Sequence, residues 1–119
     1  MPESRIVEVR IYRLPKGRRS EFHRHVHEEA IPMVKKWGHE VVAYGPSLLD
    51  PDTYFLIRAY DTVEQMQTDQ DAFYSSEEWQ KGPRSAIVSL IEHQSDVVFE
   101  LTQDAIVALA KGFRISPMS

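Results

Sequence analysis

Apolar and polar residues alternate from the start of the chain. In "RIVEVRIYRL" (5–14), Val7, Val9 and Ile11 take one parity and Glu8, Arg10 and Tyr12 the other, which is the two-residue period of a strand. "PKG" (15–17) is a turn marked by two breakers. The period then lengthens. Phe22, Val26, Ala30, Met33 and Trp37 recur every three or four residues and predict a helix over 18–37, with Gly38 placed for a left-handed cap. Pro32 falls inside that helix. It removes a backbone donor and crowds the carbonyl four residues earlier, so a kink is expected near Glu28.

"HEVVAYG" (39–45) and "TYFLIRAY" (53–60) read as strands joined by the hairpin loop "PSLLDPD" (46–52). "DTVEQMQTDQDAF" opens a helix, with Thr62 and Gln65 spaced as a capping box. Ser76 caps a short turn around Glu77, Glu78 and Trp79, and Pro83 ends it. "RSAIVSLIEH" (84–93) is expected as helix and "SDVVFEL" (95–101) as the last strand. "TQDAIVALAKGF" (102–113) reads as a short C-terminal helix, capped by Thr102 and stopped at Gly112. Its Ile106, Val107, Leu109 and Ala110 need cover from the domain or from a partner chain.

The order β-α-β-β-α-β predicts the α+β, ferredoxin-like fold: one four-stranded antiparallel sheet with helices on one face. No repeat or linker divides the chain. One domain over 1–119 is expected, with a core at about 5–101 and an extension at 102–119. The parity of Val7, Val9 and Ile11, with Phe55, Ile57 and Ala59 and with Val97, Phe99 and Leu101, is expected under the helices. The other parity carries Glu8, Arg10, Tyr12, Tyr54, Leu56, Arg58, Tyr60, Val98 and Glu100. Tyrosine, arginine and glutamate suit a half-buried surface better than open solvent, so this face is expected inside a homodimer, with at least one arginine–carboxylate pair on it.

Several of these stretches resemble the NIPSNAP family. "EVRIYRLPKG" (8–17) resembles its opening strand and turn, and "EEAIPMVKKWG" (28–38) its proline-containing first helix end. "YFLIRAYDTVEQM" (54–66) resembles its strand leading into the second helix, and "FYSSEEWQKGPRSAI" (73–87) its short helix around Glu-Trp. The resemblance covers about 5–101. It implies a dimeric α+β barrel in which two ferredoxin-like subunits pack sheet against sheet. Related barrels include cofactor-free monooxygenases, cyclases and heme-degrading enzymes, whereas most members of this family lack an assigned reaction. Two departures stand out: Arg58 sits where the family often has Trp, and residues 102–119 run past its usual end.

Composition narrows the chemistry further. The 119 residues are 42% hydrophobic and 27% charged, with net charge -4 and no cysteine. Disulfides, thiolate metal sites and a cysteine nucleophile are thereby excluded. The lack of disulfides fits a reducing compartment. No apolar run approaches the roughly 20 residues that span a bilayer, and "MPESRIVEVR" lacks the charged and then apolar pattern of a signal peptide. A cytoplasmic location is expected. Acidic and basic residues interleave without a Lys/Arg tract, so nucleic acid is not an expected partner.

"EFHRHVHEEA" (21–30) sets His23, His25 and His27 at alternate positions. At about 100° per residue, His23 and His27 share a flank and His25 faces elsewhere. A lone i, i+4 pair without a third ligand makes no metal site, so none is expected here. His23 remains an acid/base candidate. Trp79 reads as an anchor for its irregular segment, and His93 as a charge partner at a helix C-terminus.

Two function classes stay open. One is a small-molecule binder or enzyme with a pocket in each barrel half. Its candidate residues are Glu8, Arg10, Tyr12, His23, Tyr54, Arg58, Tyr60, Trp79 and Glu100. The arginines would hold an anionic or carbonyl group, the tyrosines would donate protons or stack, and Glu8 or Glu100 would act as base. The other is a dimeric interaction module in which these residues form ion pairs only. The first leaves a cavity of a few hundred Å3; the second fills it. No cofactor is expected in either.

Overall fold

The N-terminal alternation becomes β1, Ser4–Arg13, the strand around which the sheet is built. The computed structural model describes residues 3–113. After β1 come α1 (Arg19–His25), a π turn (Val26–Ala30) and α2 (Ile31–Lys36). Then follow β2 (Glu40–Pro46), β3 (Thr53–Tyr60), α3 (Val63–Tyr74), α4 (Glu77–Lys81), α5 (Arg84–Val88), β4 (His93–Thr102) and α6 (Gln103–Gly112). The sheet runs β2-β3-β1-β4, and every neighbouring pair is antiparallel. This is the expected ferredoxin-like α+β fold with an added C-terminal helix.

The helix over 18–37 is interrupted where Pro32 demands it, though not by a simple bend. Pro32 has no N–H to give and its ring crowds the Glu28 carbonyl, and the wider π turn falls on Val26–Ala30, immediately before. One extra residue advances the helix phase by about 100°. The buried stripe therefore continues from Phe22, Val26 and Ala30 onto Ile31 and Val34. Trp37, expected in that stripe, is instead 41% exposed and donates its indole N–H to Glu78 at 2.7 Å. Gly38 takes the left-handed cap at φ 89°.

The capping residues act as their spacing predicts. The hydroxyls of Thr62, Ser76 and Thr102 accept from the backbone N–H groups of Gln65, Trp79 and Ala105. The helix expected over 84–93 ends early. Glu92 N donates to Arg13 O at 2.8 Å, and His93 begins β4 opposite Arg13. His93 is thus a strand residue beside Ser95 and not the partner of a helix end.

The two sheet faces are the reverse of the expectation. Tyr12, Tyr54, Leu56 and Tyr44 lie under α1–α5, packed with Phe22, Val26, Ile31, Phe73, Trp79 and Ile87. Glu8 and Arg58 are buried on that same face. The helices can cover a polar layer because they bring matching polar groups to it, as the site geometry makes explicit. The apolar parity faces the other way. There α6 crosses it, and Ile106 and Leu109 pack with Val7, Val42, Ala59 and Leu101. Phe113 stacks edge-on against Phe55 at 5.3 Å. Helices therefore lie on both faces. Among the described residues nothing covers the rest of the apolar face, and Ile11 is 43%, Val97 53% and Phe99 41% exposed. Among the described residues no helix is long and apolar enough to cross a membrane.

Candidate functional site

β1 and β3 pair with Glu8 opposite Arg58, so strand register alone places a carboxylate beside a guanidinium. α3 lies over them and lowers Gln70 and Tyr74, four residues apart, into the same layer. Arg58 donates Nε and Nη2 to Glu8 Oε1 at 3.1 and 2.8 Å. Arg10 Nε donates to Glu8 Oε2 at 3.2 Å. Gln70 Nε2 bridges both carboxylate oxygens at 3.0 Å, while its Oε1 accepts from Arg10 Nη2 at 3.0 Å. Glu8 is saturated with donors. Burial pushes its carboxyl up, but the two arginines outweigh that and hold it below the ordinary 4.5. Burial likewise opposes the charge of Arg10 and Arg58, yet both guanidinium pKa values end up raised, with Tyr74 and Glu8 as neighbours.

Tyr74 closes this layer. Its phenol oxygen accepts from Arg10 Nη1 at 3.2 Å and from Arg58 Nη1 at 3.0 Å. Both guanidinium groups also approach the face of its ring, at 5.3 and 5.8 Å. Two donors use both acceptor sites of a hydroxyl, so the Tyr74 proton is its remaining hydrogen-bonding direction. Asp96, opposite Arg10 on β4, brings a second carboxylate to within 3.7 Å of Arg10 Nε, so the two arginines face two carboxylates, one buried and one half exposed.

This layer forms the floor of an open cleft of about 370 Å3 between β1, β4 and α3–α5. Arg10, Tyr12, Tyr74 and Trp79 form its inner wall, and Arg84 and Gln94 its mouth. Burial, with Tyr74 beside it, pushes the Tyr12 phenol up to about 12, so Tyr12 stays protonated. Tyr74 and Trp79 meet edge to face at 5.5 Å. The arrangement offers an aromatic slot that ends on fixed cationic and phenolic donors.

A second polar line runs along α1 and the β2–β3 half of the sheet. His23 and His27 stack at 5.4 Å, with His23 Nδ1 2.6 Å from Tyr54 OH and His27 Nδ1 2.5 Å from Tyr44 OH. Burial, then the neighbouring His27, lowers the His23 pKa. Burial also raises the pKa values of Tyr44 and Tyr54. His39 is buried with Nδ1 2.7 Å from Tyr60 OH, and Tyr60 reaches Gln70 at 3.3 Å. His25 turns away to Glu29 at 3.0 Å. Among the described residues no three metal-ligating side chains gather.

Of the nine sequence candidates, Arg10, Tyr12 and Trp79 line the cleft. Glu8 and Arg58 lie behind it and hold Arg10 and Tyr74 in place. Tyr60 touches that layer through Gln70. His23 and Tyr54 pair with each other under α1 and are absent from the cleft wall. Glu100 is on the exposed edge strand and forms no ion pair with Arg10 or Arg58, so the base role expected of it has no geometry behind it. Gln70, Tyr74 and Arg84 were not among the candidates. The first two carried a signal: Met66, Gln70 and Tyr74 share one face of α3, and a polar residue on a buried helical face needs a buried partner.

Comparison with known proteins places this arrangement in a group. The family model described as NIPSNAP matches residues 7–105. A NIPSNAP family protein of unknown function from Agrobacterium tumefaciens superposes with a TM-score of 0.76 at 22% identity, over 82% of this chain and 88% of that one. An uncharacterised NIPSNAP domain protein from Burkholderia xenovorans gives 0.71 at 21% identity, over 79% and 91%. A putative antibiotic biosynthesis monooxygenase from Nitrosomonas europaea gives 0.62 at 14% identity, over 83% and 90%, a likeness of fold. No curated protein matches.

Proposed function

Since the chain belongs to the NIPSNAP family, a family without an assigned reaction in the solved relatives, we propose that it binds a small organic anion in the Arg10–Tyr12–Tyr74–Trp79–Arg84 cleft. One observation carries this reading. The Tyr74 hydroxyl oxygen accepts from two arginines and stands in the cleft wall, which leaves its O–H as the donor for a ligand. Arg10 in the inner wall and Arg84 at the mouth offer charge-assisted donors to an anion, and the Tyr74–Trp79 wall favours a flat ring. An interaction module built only of ion pairs accounts for Glu8 and Arg58 but leaves the cleft without an occupant. The working unit is inferred to be a homodimer. Support for it comes from the open apolar face with Ile11, Val97 and Phe99, and no longer from the polar face.

The binding reading is tested with benzoate. In a Trp37→Phe background Trp79 is the reporting indole, and its fluorescence should change saturably in the micromolar to millimolar range. Arg84→Met should weaken binding by roughly tenfold, the loss of one charge-assisted contact. No saturable change with benzoate or salicylate in a folded protein would overturn the reading.

A further inference from the structure

Behind the cleft wall lies a second space, enclosed in the core between α1, the π turn, α2 and the sheet, with a volume of about 40 Å3. Val26, Ala30, Ile31, Val34, Leu56 and Phe73 surround it. The polar side chains around it are the two phenols and the Trp79 indole, all shared with the cleft, and the Tyr74 oxygen is already held by Arg10 and Arg58. A buried water needs two to four polar partners. The polar side chains here all lie on the wall shared with the cleft, and the rest of the lining is apolar; apolar voids of this kind stay dry and accept apolar guests.

The two spaces share four wall residues: Tyr12, Tyr74, Trp79 and Ile87. They are separated by a single layer of side chains. Trp79 and Ile87 in that layer stand on two five-residue helices, α4 and α5, joined through Gly82 and Pro83. Only side-chain atoms therefore stand between a charged, aromatic cleft and a dry apolar pocket. That sequence of environments matches a molecule with an anionic head, a ring and a short alkyl tail.

We propose that the void is the tail subsite of the same ligand site. The occupant class is then an aromatic monocarboxylate carrying a short alkyl chain opposite its carboxylate. The carboxylate meets Arg10 and Arg84, the ring lies along Tyr74 and Trp79, and the tail passes Ile87 into the void. At one water-sized sphere per roughly 10–15 Å3, the void accommodates about three carbon atoms. This rests on the cleft reading above and adds to it the length and polarity of the ligand.

Calorimetric titration with benzoate and its para-ethyl, para-propyl and para-hexyl derivatives tests it. Affinity should rise about fourfold per carbon as far as propyl, the value of burying one methylene, and gain nothing further at hexyl. Ala30→Val puts two methyl groups into the void; in that variant para-propylbenzoate should bind no more tightly than benzoate. Ile31→Val opens the void by one methyl and should move the optimum to a longer chain. It decides the matter alone if Ala30→Val does not fold. Benzoate binding without any chain-length gain overturns the tail subsite and leaves the cleft reading standing. A gain that survives Ala30→Val also overturns it, because the tail then lies elsewhere. If neither benzoate nor its derivatives bind, the cleft reading itself fails and the subsite falls with it.

Discussion

Arg58 is fully buried, and Glu8 nearly so. Arg58→Met would leave the Glu8 carboxylate with only Arg10 to balance it in a poorly hydrated layer. Losing one partner of a buried pair costs about 3–5 kcal/mol, whereas replacing both with apolar residues is often close to neutral. Arg58→Met should therefore lower the urea-unfolding free energy by that amount, and Glu8→Leu combined with Arg58→Met by clearly less. If the double variant loses as much as the single one, the pair is not the reason. His39 carries a pH dependence. Burial, followed by the positive charge of Arg58, holds its pKa below the ordinary 6.5. The unfolded chain then takes up a proton before the folded one does, so stability falls as pH drops below 6.5. His23 acts in the same sense. Unfolding free energy should decline from pH 7.5 to 5.5, by at most about 1.4 kcal/mol per pH unit for each group, and His39→Gln should flatten the slope. At this scale Glu8, Arg10, Arg58 and the tyrosines could be read as a group from their shared parity. Gln70 and Tyr74 show only their shared face of α3, because they lie 60 and 64 residues from Arg10 and only the packing of α3 across β1 unites them with it.

The π turn is the element that shapes the helical layer. Pro32 points to a disturbance near Glu28 from sequence alone, but proline permits a bend as readily as an inserted residue. The core decides between them, because only the extra residue brings Ile31 and Val34 inward. Its removal should be tolerated if Pro32 goes with it. Deleting exposed Glu29 together with Pro32→Ala restores a regular helix whose buried residues stay in phase on both sides. That chain should unfold cooperatively, within roughly 1–2 kcal/mol of the parent. Deleting Arg24 should instead turn Phe22 about 100° out of the core and cost about 3–5 kcal/mol, as a buried phenylalanine does when lost. Thermal unfolding followed by circular dichroism separates the two outcomes. Equal losses would mean that the π turn is not what corrects the helix phase.

For the molecule as a whole, the alternation along β1, β3 and β4 identifies which residues share a face, but not which face the helices take. That choice rests on His23, His27, Gln70 and Tyr74, whose polar atoms answer those of the sheet. Both faces looked coverable, and the one carrying charge proved to be inside. The face left over is apolar and half covered by α6. A second copy is the proposed cover for the remaining half. Light scattering at micromolar concentration should give two chains for the parent and one for Phe99→Glu, with secondary structure retained in both. A parent that scatters as a single chain would sink the dimer.

The sheet order also dictates when things happen during synthesis. β1 leaves the ribosome before its hydrogen-bonding neighbours β3 and β4, with Ile6 bound for Tyr60 on one side and Glu100 on the other. Until those strands emerge, β1 is an unpaired edge carrying Val7, Val9 and Ile11. Pairings so distant along the chain are slow to close, and an exposed apolar edge is prone to aggregate while it waits. Glu8 and Arg10, interleaved with those apolar residues, keep the nascent strand hydrated. The charges that end in the interior of the finished protein thus act first as gatekeepers, guarding the strand whose pairing they later join.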